Sequence, residues 1–458
     1  MDIAQRRIIL LITSLGSFLT PFMGSSINIA IPEIGSEFLS DAILLSWVPT
    51  AYLLASAIMI VPMGRLADMR GRANIFLWGI IIYTLGSLFS TIVPTIEILI
   101  FFRIFQGIGG AMIFGTSVAI ITSVFPANLR GWALGINVAF VYSGLTLGPV
   151  IGGVLTEFFG WRSIFYANVI LGAFIIIAGL KYLKITESPR DSSTFDILGS
   201  VLYAITILFV MIGFQELSGP RGIYLLFAGL ITGLLFYSWE NRIEHPVFNI
   251  KLLTENRVFA LSNLAAFINY SATFALGFLL SIYLQLVKGF SPLNAGLILI
   301  AQPLLQAVLS PYAGKLSDKI EPRILATTGM AMITAGLIFF SFLSEETSVA
   351  IIIANLAFLG IGYALFSSPN THAVMDCVSE RYYGVASGML GTTRLCGMMA
   401  SMGISMMVFS IVMGRVPLAE VPNDLLTESV NLAFMIFVIL CVIGTVASYI
   451  RNKKPEES

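Results

Sequence analysis

Runs of about 20 apolar residues recur along this chain of 458 residues, and only short polar segments separate them. The hydrocarbon core of a bilayer is about 30 Å thick, and an α-helix needs roughly 20 apolar residues to cross it. Every backbone polar group inside that core must be paired within the protein, which a helix achieves by itself. The pattern therefore predicts an all-α membrane protein whose helices cross the bilayer many times.

Composition excludes the other classes of protein. Charged residues make up 11% of the chain and hydrophobic residues 57%, whereas a soluble domain carries about 25% charged residues. Disordered chains are poor in aromatic residues, but this one has 34 Phe. Basic and acidic residues both number 25, so no basic excess favours a nucleic-acid partner. Two histidines, His245 and His372, are too few and too far apart for a metal site.

Fourteen spans satisfy the length requirement. They lie near residues 8–31, 45–64, 74–93, 98–122, 132–156, 163–183, 197–216, 222–239, 258–287, 293–314, 323–344, 348–370, 384–412 and 430–451. With a cytoplasmic N-terminus, 19 Lys and Arg residues fall on the inner side and 4 in outer loops. Because cytoplasmic loops are enriched in Lys and Arg, we expect both termini to be cytoplasmic and the number of spans to be even.

A short motif occurs twice, once after the second span and once after the tenth. The first copy, GRLAD, begins at Gly64 and ends at Asp68, and the second, GKLSD, begins at Gly314 and ends at Asp318. The enrichment of basic residues in inner loops explains the Arg and Lys, but not the matched Gly and Asp. We therefore predict two parallel six-helix bundles, residues 1–190 and 251–458, joined by a two-helix insert at 191–250. This architecture is typical of transporters whose site lies between the halves.

Three longer motifs follow one another in the first half. The loop predicted after the second span reads GRLADMRGRA (64–73), the fourth span contains RIFQGIGGA (103–111), and the fifth contains GLTLGPVIGG (144–153). They match the patterns G-x-L-a-D-r-x-G-r-[KR], R-x-x-Q-G-x-G-a-A and G-x-x-x-G-P-x-x-G-G. With these motifs the chain resembles, over nearly its whole length, the major facilitator superfamily and specifically its fourteen-helix drug:proton antiporter branch.

The resemblance implies roles for two sets of residues. Cytoplasmic gating is implied for Gly64, Asp68, Arg72, Gly314 and Asp318. The antiporter motif comprises Gly144, Gly148, Pro149, Gly152 and Gly153. Glycines on one helix face let a neighbouring helix approach closely, and a proline permits a bend. An Asp paired in only one of two bundle arrangements can latch that state. The alternatives are ordinary small-residue packing in the fifth span and a solvated carboxylate at Asp68.

Buried charge marks the point where the chain departs from this branch. Ionisable residues inside the membrane are functional candidates, and Arg103 and Arg394 lie within spans. Arg103 is close enough to the outer end of its span to extend to the surface. The branch usually carries an Asp in the first span, but Met23 stands at that position, and Asp and Glu are absent from the central part of every span. The proton-coupling scheme of the branch therefore cannot be transferred directly.

The transport pathway is predicted from polar and buried residues near mid-depth. It comprises Met23, Asn28, Arg103, Gln106, Tyr142, Asn269, Tyr270, Gln302, Gln306, Tyr363 and Arg394. An apolar cavity with a few hydrogen-bonding groups suits a bulky amphipathic substrate. Hydrogen bonding between helices is the alternative role for each polar residue taken singly.

These observations predict a secondary active transporter that exports small amphipathic compounds or drugs by alternating access, in exchange for protons. The alternative is an exporter or facilitator of anionic or neutral compounds with atypical ion coupling, because no acid balances the two buried arginines. An enzyme would need convergent Asp, Glu, His or Cys in the spans, and these are missing. A channel would not need the paired G-x-L-x-D motif, so the motif argues against a channel. The nucleotide-binding pattern G-x-x-x-x-G-K-[ST] does not occur in the sequence, so we do not expect transport driven by ATP. We expect a monomer in the cell membrane, without a cofactor, whose partners are a small molecule, protons and lipid.

Overall fold

Helices make up almost all of the computed structural model of this chain, which describes residues 3–183, 196–216, 219–243, 256–317, 319–378, 383–414 and 416–450. Asp318, one of the predicted gating residues, lies outside these described residues.

The α-helices of the described chain are numbered here in chain order. They are α1 Ile3–Phe38, α2 Ala42–Arg70, α3 Arg72–Ser90, α4 Ile96–Val124, α5 Ala127–Phe159, α6 Arg162–Tyr182, α7 Ile197–Gln215, α8 Pro220–Glu240, α9 Arg257–Thr273, α10 Leu276–Ile282, α11 Pro292–Leu299, α12 Ala301–Ser317, α13 Pro322–Phe340, α14 Val349–Asp376, α15 Tyr383–Val412 and α16 Asn423–Ile450. A π-helical turn, Tyr283–Val287, continues α10, and a 3₁₀ turn, Leu418–Glu420, precedes α16.

Within these ranges, thirteen helical segments are long and apolar enough to cross a membrane. A shorter apolar helix, Ile197–Gly213, stands where the seventh span was predicted. The all-helical, multi-pass prediction is therefore confirmed. The total of fourteen spans and the arrangement of the repeats stay predictions.

The chain divides into two compact units. The first comprises Met1–Leu208, Phe290–Leu297 and Arg415–Glu420, and the second comprises the remainder. In the first unit, α1 packs against α5 and α6, α4 against α2 and α3, and α3 also against α6. In the second unit, α9 packs against α15 and α16, α14 against α12 and α13, and α13 also against α16. The same set of pairings thus occurs in each unit.

Glycines allow several of these helix pairs to meet at backbone distance. A Cβ atom on Gly109 of α4 would lie 2.7 Å from the backbone nitrogen of Tyr83 in α3. In the second unit, a Cβ on Gly362 of α14 would lie 3.0 Å from the carbonyl oxygen of Gly329 in α13. Real Cβ atoms in ordinary contact lie about 3.5–4.0 Å from their neighbours. Small residues therefore determine how closely these helices approach.

The repeated motif is helical, which corrects the prediction of a loop after the second span. Gly64 and Asp68 lie in α2, which continues to Arg70, and Gly314 lies in α12. Gly71 alone separates α2 from α3, and its φ of 101° is a conformation that favours glycine. Its backbone N–H donates to the carbonyl of Ala67 at 2.9 Å. A glycine in this conformation ends one helix and lets the next begin without a loop.

Two of the predicted spans are interrupted. The span predicted at 258–287 consists of α9, α10 and the π-helical turn. The span predicted at 293–314 is broken at Ile300, between α11 and α12. Pro303 explains this second break, because proline has no N–H to donate to the carbonyl of Leu299 and its ring clashes with that carbonyl in a continuous helix.

Candidate functional site

Arg103 of α4 is fully buried in the first unit, with 1% of its surface exposed. Its Nε donates to the carbonyl oxygen of Val48 at 2.9 Å, and its Nη1 donates to Oε1 of Gln106 at 2.8 Å. The guanidinium carbon lies 4.7 Å from the ring centroid of Tyr52. The side chain therefore turns towards α2 instead of extending to the membrane surface. Hydrogen bonds and an aromatic face hold this charge.

Gln106 extends this network to α3. Its Nε2 donates to Oγ of Ser87 at 2.7 Å, and the hydroxyl of Ser87 donates to the carbonyl of Tyr83 at 2.9 Å. Gln106 and Ser87 are both fully buried. A continuous chain of hydrogen bonds therefore links α2, α4 and α3. The sequence motif identified Arg103 and Gln106, while Ser87 and Tyr52 had no signal apart from their positions in apolar spans.

Met23 is in contact with an amide. The Nδ2 atom of Asn168 in α6 lies 3.2 Å from the sulfur of Met23 and 2.9 Å from the carbonyl of Ile164. Asn168 is fully buried, and its Oδ1 has no hydrogen-bond partner among the described residues. The same is true of the Oδ1 of Asn28. The position where the resembled branch carries an acid is therefore apolar, but polar groups lie beside it.

The glycines of the α5 motif face α1. A Cβ on Gly144 would lie 2.7 Å from the carbonyl of Phe18, and a Cβ on Gly148 would overlap Ser25. Two serines of α1 lie against the same helix. The Oγ of Ser26 donates to the carbonyl of Gly148 at 2.9 Å, whereas the Oγ of Ser25 donates to the carbonyl of Pro21 in its own helix at 2.8 Å and lies 3.2 Å from the carbonyl of Gly144. Glycine on one helix and serine on the other thus form a contact between two backbones.

The other side of the α5 motif packs against the start of α11, within the first unit. A Cβ on Gly153 would lie 2.9 Å from Cα of Leu293, and one on Gly296 would overlap the carbonyl of Pro149. Oε2 of Glu157 accepts the backbone N–H of Leu293 at 3.0 Å. A carboxylate at a helix N-terminus is stabilised by the helix dipole and by unpaired N–H groups. The motif therefore brings two helices to α5. Tyr142, also on α5, is half-buried.

Asp68 forms an ion pair with Arg72 across the junction of α2 and α3. Oδ1 of Asp68 accepts from Nη2 of Arg72 at 2.7 Å and from its Nε at 2.8 Å. Both side chains are more than 40% exposed. An exposed pair of this kind is weak, typically about 0–1 kcal/mol. It can therefore break when another partner becomes available.

Arg394 of α15 is half-buried in the second unit. Its Nη2 donates to Oγ1 of Thr371 in α14 at 2.6 Å, and the guanidinium carbon lies 5.7 Å from the ring centroid of Tyr270 in α9. Its Nε is buried without a hydrogen-bond partner among the described residues. This cation therefore retains an unused donor and no described carboxylate pairs with it.

The remaining predicted pathway residues of the second unit take part in separate contacts. Nε2 of Gln302 donates to Oε1 of Gln306 at 2.9 Å, so these two amides pair along α12. The hydroxyl of Tyr363 reaches the carbonyl of Thr273 at 3.4 Å. Nδ2 of Asn269 lies 3.2 Å from the sulfur of Met330.

Sequence reasoning missed a pair of residues near the end of α12. The hydroxyl of Ser317 donates to the carbonyl of Gly314 at 2.6 Å, and its oxygen lies 2.9 Å from Nδ1 of His372. Since the hydroxyl proton is used on Gly314, the oxygen of Ser317 accepts the second bond from Nδ1 of His372. His372 lies 55 residues after Ser317 in the chain, so the GKLSD motif gave no signal for it.

Comparison with known proteins gives a consistent result. A family model described as Major Facilitator Superfamily matches residues 13–263 and 262–458. The chain is 33% identical over 390 residues to the riboflavin transporter RibZ of Clostridioides difficile (strain 630), covering 85% of each protein. It is 31% identical over 396 residues to the multidrug resistance protein Stp of Mycobacterium tuberculosis (strain ATCC 25618 / H37Rv), covering 85% of this chain and 73% of Stp.

Among solved structures, the chain resembles a bacterial homolog of the human lysosomal transporter Spinster in an inward-facing, unoccupied conformation. The TM-score is 0.73, the sequence identity is 19%, and the match covers 98% of each chain. At this identity the likeness concerns the fold alone.

Proposed function

The chain belongs to the Major Facilitator Superfamily, and on that premise we propose that it exports small amphipathic compounds by alternating access. Its relatives are named as transporters, and it is a multi-pass membrane transporter, not an enzyme.

The observation that carries the proposal is the contact of α5 with α1. Gly144, Gly148 and Gly152 leave no side chains between these helices, and the hydroxyl of Ser26 bonds across the contact to the carbonyl of Gly148. Helices joined in this way move together, as alternating access requires of a bundle that rocks as a rigid body. The motif is the one that the antiporter branch carries. The name of Stp, a multidrug resistance protein, supports the direction of transport.

The predicted pathway residues favour a bulky substrate that is partly apolar. They supply amide groups at Asn28 and Gln302, a hydroxyl at Tyr363 and an apolar side chain at Met23. Such a mixture binds amphipathic molecules through area and a few hydrogen bonds. RibZ is named as a riboflavin transporter, and a neutral, planar, heteroaromatic compound belongs to the class that we propose.

We consider two forms of ion coupling, which are exchange for protons and transport that is uncoupled or atypically coupled. Exchange for protons follows the resembled branch. Uncoupled or atypically coupled transport of neutral or anionic compounds is favoured by Arg394, whose Nε is buried without a described partner. It is also favoured by Met23, because in the described spans carboxylates lie only within about two turns of helix ends.

The test is transport in proteoliposomes with an imposed pH gradient, using a cationic dye, riboflavin and an anionic dye as substrates. Protein-free vesicles and the Arg394→Gln variant serve as controls. Proton exchange predicts that accumulation reverses when the gradient is reversed. Equal rates in both gradient directions, with loss of anionic-dye transport in Arg394→Gln, would instead favour the second candidate. No transport of any member of the panel would contradict the proposed substrate class.

We also propose the topology from which these functions follow. It has fourteen spans, cytoplasmic termini, six-helix bundles at 1–190 and 251–458, an insert at 191–250 and a monomeric state. Single-cysteine variants at Ile3 and at Ile92, labelled in intact cells with a membrane-impermeant reagent, test the orientation. Labelling of position 92 alone is expected, and labelling of position 3 would contradict it.

A further inference from the structure

A groove runs between α12 and α14 in the second unit, away from the predicted transport pathway and beside the GKLSD copy of the repeated motif. Its volume is about 400 Å³, within the range of ligand pockets. It is lined by Leu309, Tyr312, Ala313, Lys315, Leu316, Lys319, Ile361, Ala364 and Leu365. Both helices are membrane spans by length and composition. The groove is therefore an apolar depression in a surface that lies within the bilayer.

The lining has two chemically different parts. Leu309, Ala313 and Leu316 recur at the spacing of one helix face, and small side chains at Ala313 and Ala364 give the groove its depth. Lys315 and Lys319 stand at the C-terminal end of α12, and both are exposed. An apolar channel thus leads to a pair of cations.

The two lysines are available for a ligand in the described structure. The nearby Arg323 pairs with Glu321 at 3.2 Å, whereas no described carboxylate lies within 4.0 Å of the ammonium groups of Lys315 or Lys319. The backbone N–H of Lys319 donates to the carbonyl of Leu316 at 3.1 Å, which holds it directly after the last turn of α12. The pair of charges is therefore positioned by the helix end.

Tyr312 marks the depth of this end in the membrane. It is 68% exposed and lies one turn before Lys315 and Leu316. Tyrosines are enriched at the level of lipid headgroups. The apolar part of the groove therefore extends into the hydrocarbon region, and the lysines reach the headgroup layer.

We propose that this groove binds an anionic phospholipid, whose acyl chain lies along the apolar lining and whose phosphate contacts Lys315 and Lys319. Basic pockets between membrane helices on the cytoplasmic side bind anionic headgroups, and the proposed topology puts this end of α12 on that side. Lipid binding in this groove is independent of the exported substrate. A bound lipid would also contact the α12 copy of the repeated motif, which contains Gly314.

The experiment uses the full-length protein, purified in detergent and studied by native mass spectrometry with added phosphatidylglycerol or phosphatidylcholine. We expect phosphatidylglycerol to be retained more tightly. Each surface lysine contributes about a fivefold gain in affinity, so Lys315→Gln combined with Lys319→Gln weakens retention roughly 25-fold. A matched control, Lys181→Gln combined with Arg242→Gln, removes two exposed basic residues elsewhere and should retain the lipid.

A second measurement locates the lipid. A photoactivatable phosphatidylglycerol in vesicles of phosphatidylcholine should label peptides of α12 and α14, and 10 mM inorganic phosphate should not compete. The proposal would be overturned if both lipids were retained equally, or if the Lys181→Gln and Arg242→Gln control lost as much phosphatidylglycerol as the variant of Lys315 and Lys319. Labelling of helices other than α12 and α14 would overturn it as well. Competition by phosphate would show a simple anion site, and crosslinks between two copies of the chain would show that the groove is a protein interface; each result refutes the lipid assignment.

Discussion

A single methyl group at Gly152 tests the packing of α5 against α1. A Cβ there would lie 2.8 Å from both Cα and Cβ of Ser26, whereas carbon atoms in contact are about 3.5–4.0 Å apart. Relief requires the helices to separate by about 0.7–1.2 Å. That movement would lengthen the bond from the hydroxyl of Ser26 to the carbonyl of Gly148, which is 2.9 Å.

The size of the effect follows from three contributions. Overpacking costs about 1–3 kcal/mol, and a weakened hydrogen bond costs up to about 1 kcal/mol. Replacing glycine by alanine within a helix gains about 1 kcal/mol. The free energy of unfolding of Gly152→Ala should therefore fall by about 0–3 kcal/mol. Gly135 provides a matched control on the same helix, because a Cβ there meets no atom within 4 Å and only the helical gain of about 1 kcal/mol applies.

The assay is thermal unfolding of both purified variants in the same detergent, followed by tryptophan fluorescence. A difference of about 1–4 kcal/mol between them corresponds to a separation in Tm on the order of 1–4 °C for a chain of this length. Transport by Gly152→Ala should fall as well, and Gly152→Leu should be worse. If Gly152→Ala and Gly135→Ala unfold at the same temperature, the two backbones are not in contact and the reasoning is refuted.

Three further perturbations test other contacts. Asp68→Asn removes the ion pair with Arg72 and should slow transport several-fold without weakening substrate binding. Because the pair is exposed, the free energy of unfolding should change by only about 0–1 kcal/mol. A parallel loss of binding in a dye titration would contradict the gating role. Met23→Asp puts a carboxylate beside the amide of Asn168 and should improve transport of a permanent organic cation, measured with a quaternary ammonium dye at two ionic strengths; no change at either strength would speak against a deficit of negative charge. Arg103→Lys keeps the charge but cannot make both of the bonds of the guanidinium, so the free energy of unfolding should fall by about 1.5–3 kcal/mol, and an unchanged melting curve would show that the network contributes nothing.

The apolar runs were enough to predict the helices and their order, because a bilayer leaves the backbone almost no alternative to a helix. Hydropathy does not determine where a helix stops. The GRLAD motif is polar and was predicted to be a loop, yet α2 continues through Asp68 to Arg70. Conversely, the apolar run at 293–314 gave no warning of the break at Ile300, which depends on a proline three residues later.

Prediction of the candidate site was limited because the sequence does not show which helices are neighbours. A motif identified Arg103 and Gln106, and their contact at 2.8 Å follows from a spacing of three residues on one helix. Partners on other helices, such as Val48 and Ser87, depend on which helices are neighbours and on their rotation. Those quantities come from three-dimensional packing, and no local pattern in the sequence encodes them.

The one-residue junction at Gly71 has a mechanical consequence. The helices on either side have 29 and 19 residues, and at 1.5 Å per residue α3 is a lever about 28 Å long. Two backbone torsions connect the levers, so a change of about 10° at Gly71 displaces the far end of α3 by about 5 Å. A loop of several residues would absorb such a rotation locally. Here the ion pair between Asp68 and Arg72 spans the junction at Gly71. A small change in the length of this weak ion pair therefore accompanies a much larger displacement at the far end of α3.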